Sequence, residues 1–263
     1  MKVAICFFGL VGGVVGKDGK GESLDPQIAY DLNYQNLIKN NEADVFIHSW
    51  SVEHKDKILK LYKPKDSVIE KQRIFEPSPK LLNEKGLWNN AKTSLKKFLR
   101  PVKHKQQLKS RLKEVNRAYS RWYSTKAVLE MKRKFEREND FEYDAVLVNR
   151  LDVGFYTPLE FSDFDLEKFY ASHWNDYPCR DNNFTLNKEN HNTGKGFLDF
   201  WFFSNSHNMD SFGSLYDNID KYSVSPHNSS YEHVNFLKLN YEYVLYRWVD
   251  HEMIRRKEFK SIE

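Results

Sequence analysis

Tyr143-Asp144-Ala145-Val146-Leu147-Val148-Asn149-Arg150-Leu151-Asp152-Val153 passes from apolar, β-favouring residues straight into Asn, Arg and Asp. That is the pattern of a buried central strand delivering polar side chains to the carboxyl edge of a sheet. In open α/β sheets, ligands bind in the crevice outside those carboxyl ends. An unpaired charge along a buried strand is costly, so Arg150 and Asp152 are expected at its end. Alternate residues of a strand share a face, which points both side chains the same way. The pair then has two readings. One is an ion pair, between the two or with Asp144. The other is a guanidinium on phosphate oxygens beside a carboxylate on a cation.

Working outward, Val3-Ala4-Ile5-Cys6-Phe7-Phe8 is apolar on both faces, as a strand buried in a parallel sheet is. A Gly/Lys loop follows from Gly9 to Gly21. Asp25-Pro26 marks a helix start, with Asp as N-cap and Pro in the first turn, running to about Asn40. Asp44–Trp50 is a second short strand, Glu53–Tyr62 a helix and Ser67–Phe75 a third strand. This alternation opens a doubly wound, mostly parallel sheet flanked by helices. Further on, Tyr119–Glu138 has the periodicity of a strong helix. Leu166–Ser172 and Phe197–Phe203 are strands, with a polar loop over 175–192 between them. Helices are expected from His207 to about Asn218 and over Tyr231–Leu239, and a last strand over Tyr243–Tyr246.

The chain has 263 residues, 40% hydrophobic and 30% charged, with a net charge of +4. That suits one α/β domain over residues 1–263 and is not a nucleic-acid-binding composition. The charge is uneven. From Lys92 to Arg117 there are ten Lys and Arg against the single acid Glu114. This predicts a basic helical insertion around 80–117, with Pro101 interrupting any continuous helix. The segment is either a solvated face or a surface drawn to anionic membrane or a phosphate-bearing acceptor. Cys6 and Cys179 stand far apart without a CxxC spacing, which points to a reduced, cytosolic setting. Four glycines (Gly9, Gly12, Gly13 and Gly16) dilute the N-terminal apolar run, favouring a buried strand and glycine loop over a signal peptide. No stretch approaches the roughly 20 apolar residues of a membrane span.

Gly12-Gly13-Val14-Val15-Gly16-Lys17-Asp18 fails as a phosphate-binding P-loop. Its glycine spacing is one short, and Asp18 stands where Ser or Thr is needed. It fails the dinucleotide fingerprint as well, and a mobile loop closing over a ligand fits it better. The histidines show no HExxH or comparable zinc spacing.

The openings MKVAICFFG and DVFIHSW, then YDAVLVNRLDV and the later FLDFWFFSN, resemble bacterial GT-A-type glycosyltransferases of capsular polysaccharide and lipopolysaccharide biosynthesis. The resemblance spans most of the chain except 80–117 and 175–195. It implies a GT-A-like (Rossmann-like) fold and a nucleotide-sugar donor at the carboxyl edge. It also implies a polysaccharide or lipid-linked acceptor, while the basic run 92–117, outside the resemblance, is the candidate for peripheral contact of a cytoplasmic protein with the inner membrane. The family's DxD-like motif falls on Arg150-Leu151-Asp152, so Asp152 is the implied ligand of Mn²⁺ or Mg²⁺. Arg150 stands in the first acidic position, which puts the metal in doubt because Arg150 could itself neutralise the diphosphate. The resemblance further implies donor contacts at Ser124 and Lys126 and at the glycine loop opening at Gly9. His48 and Trp50 would lie near the base or ribose, Trp50 serving equally well as a core residue.

An inverting transfer needs a group to take the acceptor proton. Asp199, the one acid in the aromatic run 197–203, is the first candidate, and burial moves such a carboxyl toward the useful range. Glu232, beside His233, is the second, although a helix first turn would explain it too. Two other classes stay open: a phosphoryl- or sulfuryl-type transferase of the same pathway, and a non-catalytic carbohydrate-binding module.

Overall fold

The computed structural model describes residues 1–12, 25–76, 78, 101–174, 176–178, 184–186 and 196–254. Among them a seven-stranded sheet forms the middle layer. Its strands are β1 (Val3–Gly9), β2 (Asp44–Ser49), β3 (Asp66–Ile69), β4 (Ala145–Arg150), β6 (Phe169–His173), β9 (Phe197–Ser204) and β10 (Tyr241–Tyr243). Their order is β10-β6-β9-β4-β1-β2-β3. β1 pairs parallel with both β2 and β4, and β9 is antiparallel to both of its neighbours, so it alone runs against the rest. The α/β class and mostly parallel sheet expected from the sequence are present.

The chain builds outward from β1 through β2 to β3, then returns to the other side of β1 as β4. The crevice outside β1 and β4 is therefore the topological switch point, where open α/β sheets bind ligands. Because β9 is reversed, its amino end reaches this same edge.

Strand alternation splits the core between two faces. Ala4, Cys6 and Phe8 face α3 (Pro101–Glu138), meeting Ala118 and Trp122, and burial holds the Cys6 thiol well above its usual pKa. Val3, Ile5 and Phe7 face the other way, toward Leu37, Ile58 and Tyr62. Those three belong to the π-helical turn Tyr34–Ile38 that extends α1 (Pro26–Asn33), and to α2 (Lys55–Tyr62). Each such side chain contributes about 1.5–3 kcal/mol when fully buried. Asp25 caps α1 by accepting the Gln27 N–H at 2.9 Å, as its sequence position suggested.

Several expected elements have different bounds. β3 stops at Ile69 rather than Phe75 because it pairs with β2, whose last residue, Ser49, lies opposite Ile69. Pro101 is the first residue of α3, where its missing N–H costs nothing, in keeping with an interruption of the basic run at that point. Residues 101–117 are thus the first part of the same 38-residue helix, and 79–100 lie outside the described residues. The expected loop over 175–192 includes a hairpin of β7 (Asp176–Pro178) and β8 (Phe184–Leu186), with its remaining residues outside the description. β4 ends at Arg150, a turn carries Asp152, and β5 (Val153–Phe155) pairs with β11 (His251–Met253), a ribbon the sequence did not suggest. The expected helix 207–218 is α4 (Ser206–Gly213) followed by a 3₁₀ segment, Tyr216–Lys221. The last helix, α5, is Pro226–Phe236, so Glu232 sits inside it and not in its first turn. No helix among the described residues is long and apolar enough to cross a membrane.

A buried charge cluster fastens α3. Lys132 is 0% exposed and bonds Glu136 and Asp210, each at 2.8 Å. Glu136 also accepts the Tyr143 N–H at 2.9 Å and the Ser206 hydroxyl at 2.7 Å. One lysine thereby ties α3 to α4 and to the segment entering β4, the helix and strand that carry the cleft arginines. Removing one partner of a buried pair leaves an uncompensated charge and costs about 3–5 kcal/mol. Lys132→Ala is expected to lose stability of that order in urea denaturation, with Lys134→Ala, an exposed neighbour, changing it by under about 0.5 kcal/mol.

Candidate functional site

Gly9 ends β1 with φ of +94°, a conformation that glycine adopts without strain and that turns the chain away from the sheet. Its N–H donates to Ser124 Oγ at 3.1 Å, and its carbonyl accepts from the Trp50 N–H at 3.1 Å. The ends of β1 and β2 are thus pinned to α3, and a cleft of about 240 Å³ opens beyond them. Gly9, Trp50, Gln72 and Ser120 line it, together with five charged side chains: Arg117, Arg121, Arg150, Asp152 and Asp199.

Arg150, the last residue of β4, donates from Nε to Asp152 Oδ1 at 2.7 Å and from Nη2 to Asp152 Oδ2 at 2.6 Å. The ion pair between the two, one of the alternatives of the sequence reading, is present, formed across a turn and not along one strand face. Burial works against the Arg150 charge, and Asp152 overcomes it, leaving the guanidinium above its usual pKa. The guanidinium lies over the Phe200 ring, 5.5 Å from its centroid.

Arg121 reaches the same cleft from α3. Its side chain is 9% exposed, and Nη1 lies 3.2 Å from Asp199 Oδ2. Nη2 donates to the Asp199 carbonyl, while Nε is buried without a partner among the described residues. Burial pushes its pKa down to about 10, with Asp199 opposing, so it stays charged at neutral pH. The remaining Asp199 oxygen, Oδ1, is 3.3 Å from His227 Nδ1, which also lies 3.0 Å from the Phe197 carbonyl. Trp174 stacks on the His227 ring at 4.3 Å and 16°, fixing its plane. Burial lowers the His227 pKa, Asp199 opposing, which favours a neutral imidazole.

The structure brings together Gly9, Trp50, Arg150, Asp152 and Asp199 of the residues singled out from sequence. His48 and Ser124 sit behind the wall. His48 is 1% exposed, 2.7 Å from Ser124 Oγ and 3.4 Å from Glu70, and burial lowers its pKa. They support Gly9 and do not line the cleft. Lys126 is placed elsewhere: it donates to Asp217 at 2.6 and 2.8 Å. Five residues beyond Arg121 at 100° each is some 140° around the helix, which takes it off the cleft face. Glu232 is exposed on α5, accepts the Ser223 N–H at 2.8 Å and is not among the lining residues. Its helix starts earlier than expected, which moves it away. Arg117, Ser120, Arg121 and His227 escaped the sequence reading. The first three were findable, since positions 117, 120, 121 and 124 follow the i, i+3, i+4, i+7 spacing of one helix face.

The donor set suits a divalent cation poorly. Both Asp152 oxygens are bonded to Arg150, and no group of three or more His, Cys, Asp or Glu among the described residues is placed to hold a metal ion. Comparison with protein-family models and with curated proteins finds no match for this chain.

Two further imidazoles are buried in the fold. His251 is 0% exposed, tilted against Phe155 and edge-on to Trp201 and Phe200, and burial beside Arg247 brings its pKa to about 3. His233 is held at about 4 by burial. Unfolded, both titrate near 6.5. The unfolded chain therefore binds more protons below that pH, so stability is intact above 6.5 and drains as pH falls toward 4. The slope is about 1.4 kcal/mol per pH unit for each histidine. Urea denaturation between pH 6.5 and 4.5 is expected to show this loss, flattened by one histidine's share in His251→Gln. An unchanged slope would mean that His251 already carries its proton in the fold.

Proposed function

We propose that the protein is a nucleotide-sugar-dependent glycosyltransferase of GT-A type, acting on a capsular polysaccharide or lipopolysaccharide precursor. The observation that carries this reading is the cleft's position and charge. It opens at the switch point of a mostly parallel sheet and is lined by three arginines and two aspartates, 3 − 2 = +1. A donor diphosphate is the anionic part of a nucleotide sugar, and arginine forks match its oxygens. Trp50 lines the cleft but is 4% exposed and stacked on Tyr123 at 5.7 Å and 26°, so it serves chiefly as core.

Such a transfer draws on positioning and on stabilising the leaving diphosphate. Arg121 and Arg150 supply positive charge in a partly desolvated site, where it acts more strongly than in water. For the acceptor proton, the Asp199–His227 pair is better placed than either acid alone. Asp199 orients the ring through Nδ1, and Nε2 makes no hydrogen bond with a described residue. The choice of sugar donor and of a polysaccharide-type acceptor rests on the sequence resemblance.

A thermal-shift panel of UDP, GDP, CDP and CMP sugars, run with and without Mn²⁺, tests the reading. At 100 times its dissociation constant a ligand stabilises by about 2.7 kcal/mol, a rise in Tm of roughly 5 °C. One nucleotide class should produce it. A flat panel under both conditions rules the donor reading out.

A further inference from the structure

We propose that Arg117, Arg121 and Arg150 hold a diphosphate in this cleft without a divalent cation, Asp152 and Asp199 acting as fixed counter-charges that aim two of the three guanidiniums. Diphosphate as the ligand rests on the donor reading above; cation independence rests on the geometry of the charged side chains.

The carboxylates are spent. Asp152 gives both oxygens to Arg150, at 2.7 and 2.6 Å. Asp199 gives one to Arg121 at 3.2 Å and the other to His227 at 3.3 Å. A divalent ion drawn to these oxygens would have to sit beside the guanidiniums that already donate to them. Like charges a few ångströms apart repel strongly in a partly desolvated site, and a divalent ion doubles the term for each arginine nearby. An anion meets no such conflict. Arg150 uses Nε and Nη2 on Asp152, and its Nη1 makes no hydrogen bond with a described residue. Arg121 is nine-tenths buried with Nε unpartnered. Arg117, one helical turn before Arg121, lines the cleft and forms no ion pair with a described residue.

The aspartates then have a role that is not metal binding. Two buried arginines without counter-charges would be costly in the empty cleft. Their bidentate and stacked contacts also hold the guanidinium planes before a ligand arrives, so less side-chain freedom is lost on binding. Guanidiniums offering N–H groups from two elements suit a ligand with oxygens on more than one centre, which a diphosphate has and a single carboxylate lacks.

The test is calorimetric titration of the full chain with inorganic pyrophosphate, in EDTA and in excess Mg²⁺. Wild type is compared with Arg117→Gln and Asp152→Asn, each checked for an unchanged far-UV spectrum. Pyrophosphate should bind in EDTA. Arg117→Gln, an exposed position with no ion pair to a described residue to lose, should weaken it by roughly tenfold. Asp152→Asn should still bind in EDTA, because its amide oxygen keeps one contact to Arg150 and a negative charge beside the ligand is removed. Binding that needs Mg²⁺ and disappears in Asp152→Asn overturns the proposal, as does an Arg117→Gln affinity equal to wild type or no binding in either buffer. Nucleotide sugars that stabilise only with Mn²⁺ would sink this inference and leave the donor reading standing. Pyrophosphate binding in EDTA beside a flat nucleotide-sugar panel would do the reverse.

Discussion

The buried guanidinium of Arg121 is the constraint around which the carboxyl edge is organised. An arginine that is 9% exposed needs a counter-charge within reach, and the nearest source is a strand of the same sheet. Asp199 supplies it only because β9 runs antiparallel, which puts the third residue of that strand at the edge where β1, β2 and β4 end. Had β9 been parallel, Asp199 would lie at the opposite end of the sheet and Arg121 would have no partner. The rings of Phe8 and Trp122, each 4.8 Å from the guanidinium carbon, complete the enclosure. The direction of one strand and the position of one helix are therefore fixed against each other by a single ion pair.

Holding charged groups here sets demands elsewhere. α3 must not slide along the sheet, or Arg121 and Arg117 would leave the edge together. Its far end is locked by Lys132 with Glu136 and Asp210, while near the cleft Ser124 bridges Gly9 and His48. These two attachments are separated by eight residues, about 12 Å of helix, and between them the helix packs on Cys6 and Phe46. Polar fastening at both ends with apolar packing between sets the register that side-chain packing alone leaves loose. The buried lysine is in this sense a positional device as much as a stabilising one.

The sequence made the inner strands legible and the edges not. β1, β2, β4 and β9 are buried on both faces, and continuous apolar runs announce such strands. β3 is an edge strand whose length is set by its partner, information that Ser67–Phe75 does not contain. Pro101 was read as an interruption of the basic run, and α3 begins there. Arg150 and Asp152 were placed at the right edge for a partly wrong reason, since a turn and not strand alternation joins them. Arg121 was missed because α3 was read by its apolar stripe, which says where the core lies and is silent about a charged residue on that same face. His227 had no local signal: only the fold puts it beside Asp199, 28 positions away in the chain.

An arginine at position 150 decides what the neighbouring aspartate can do. With an acid at position 150, two carboxylates would face each other and repel until a cation or a proton joined them. With Arg150 the pair neutralises itself, and the empty cleft is already in a low-energy arrangement. Nothing then has to be recruited before an anion arrives, and the charge that greets it is carried by planar groups held in place by Asp152 and Phe200. A metal ion is a strong but mobile centre whose coordination must be completed by ligand and water. A guanidinium clamped at both sides is weaker, yet it is a permanent part of the fold. In the proposed reading, Arg150 thus gives the positioning of negative charge to the polypeptide, and Arg121 extends that arrangement from β4 to the helix.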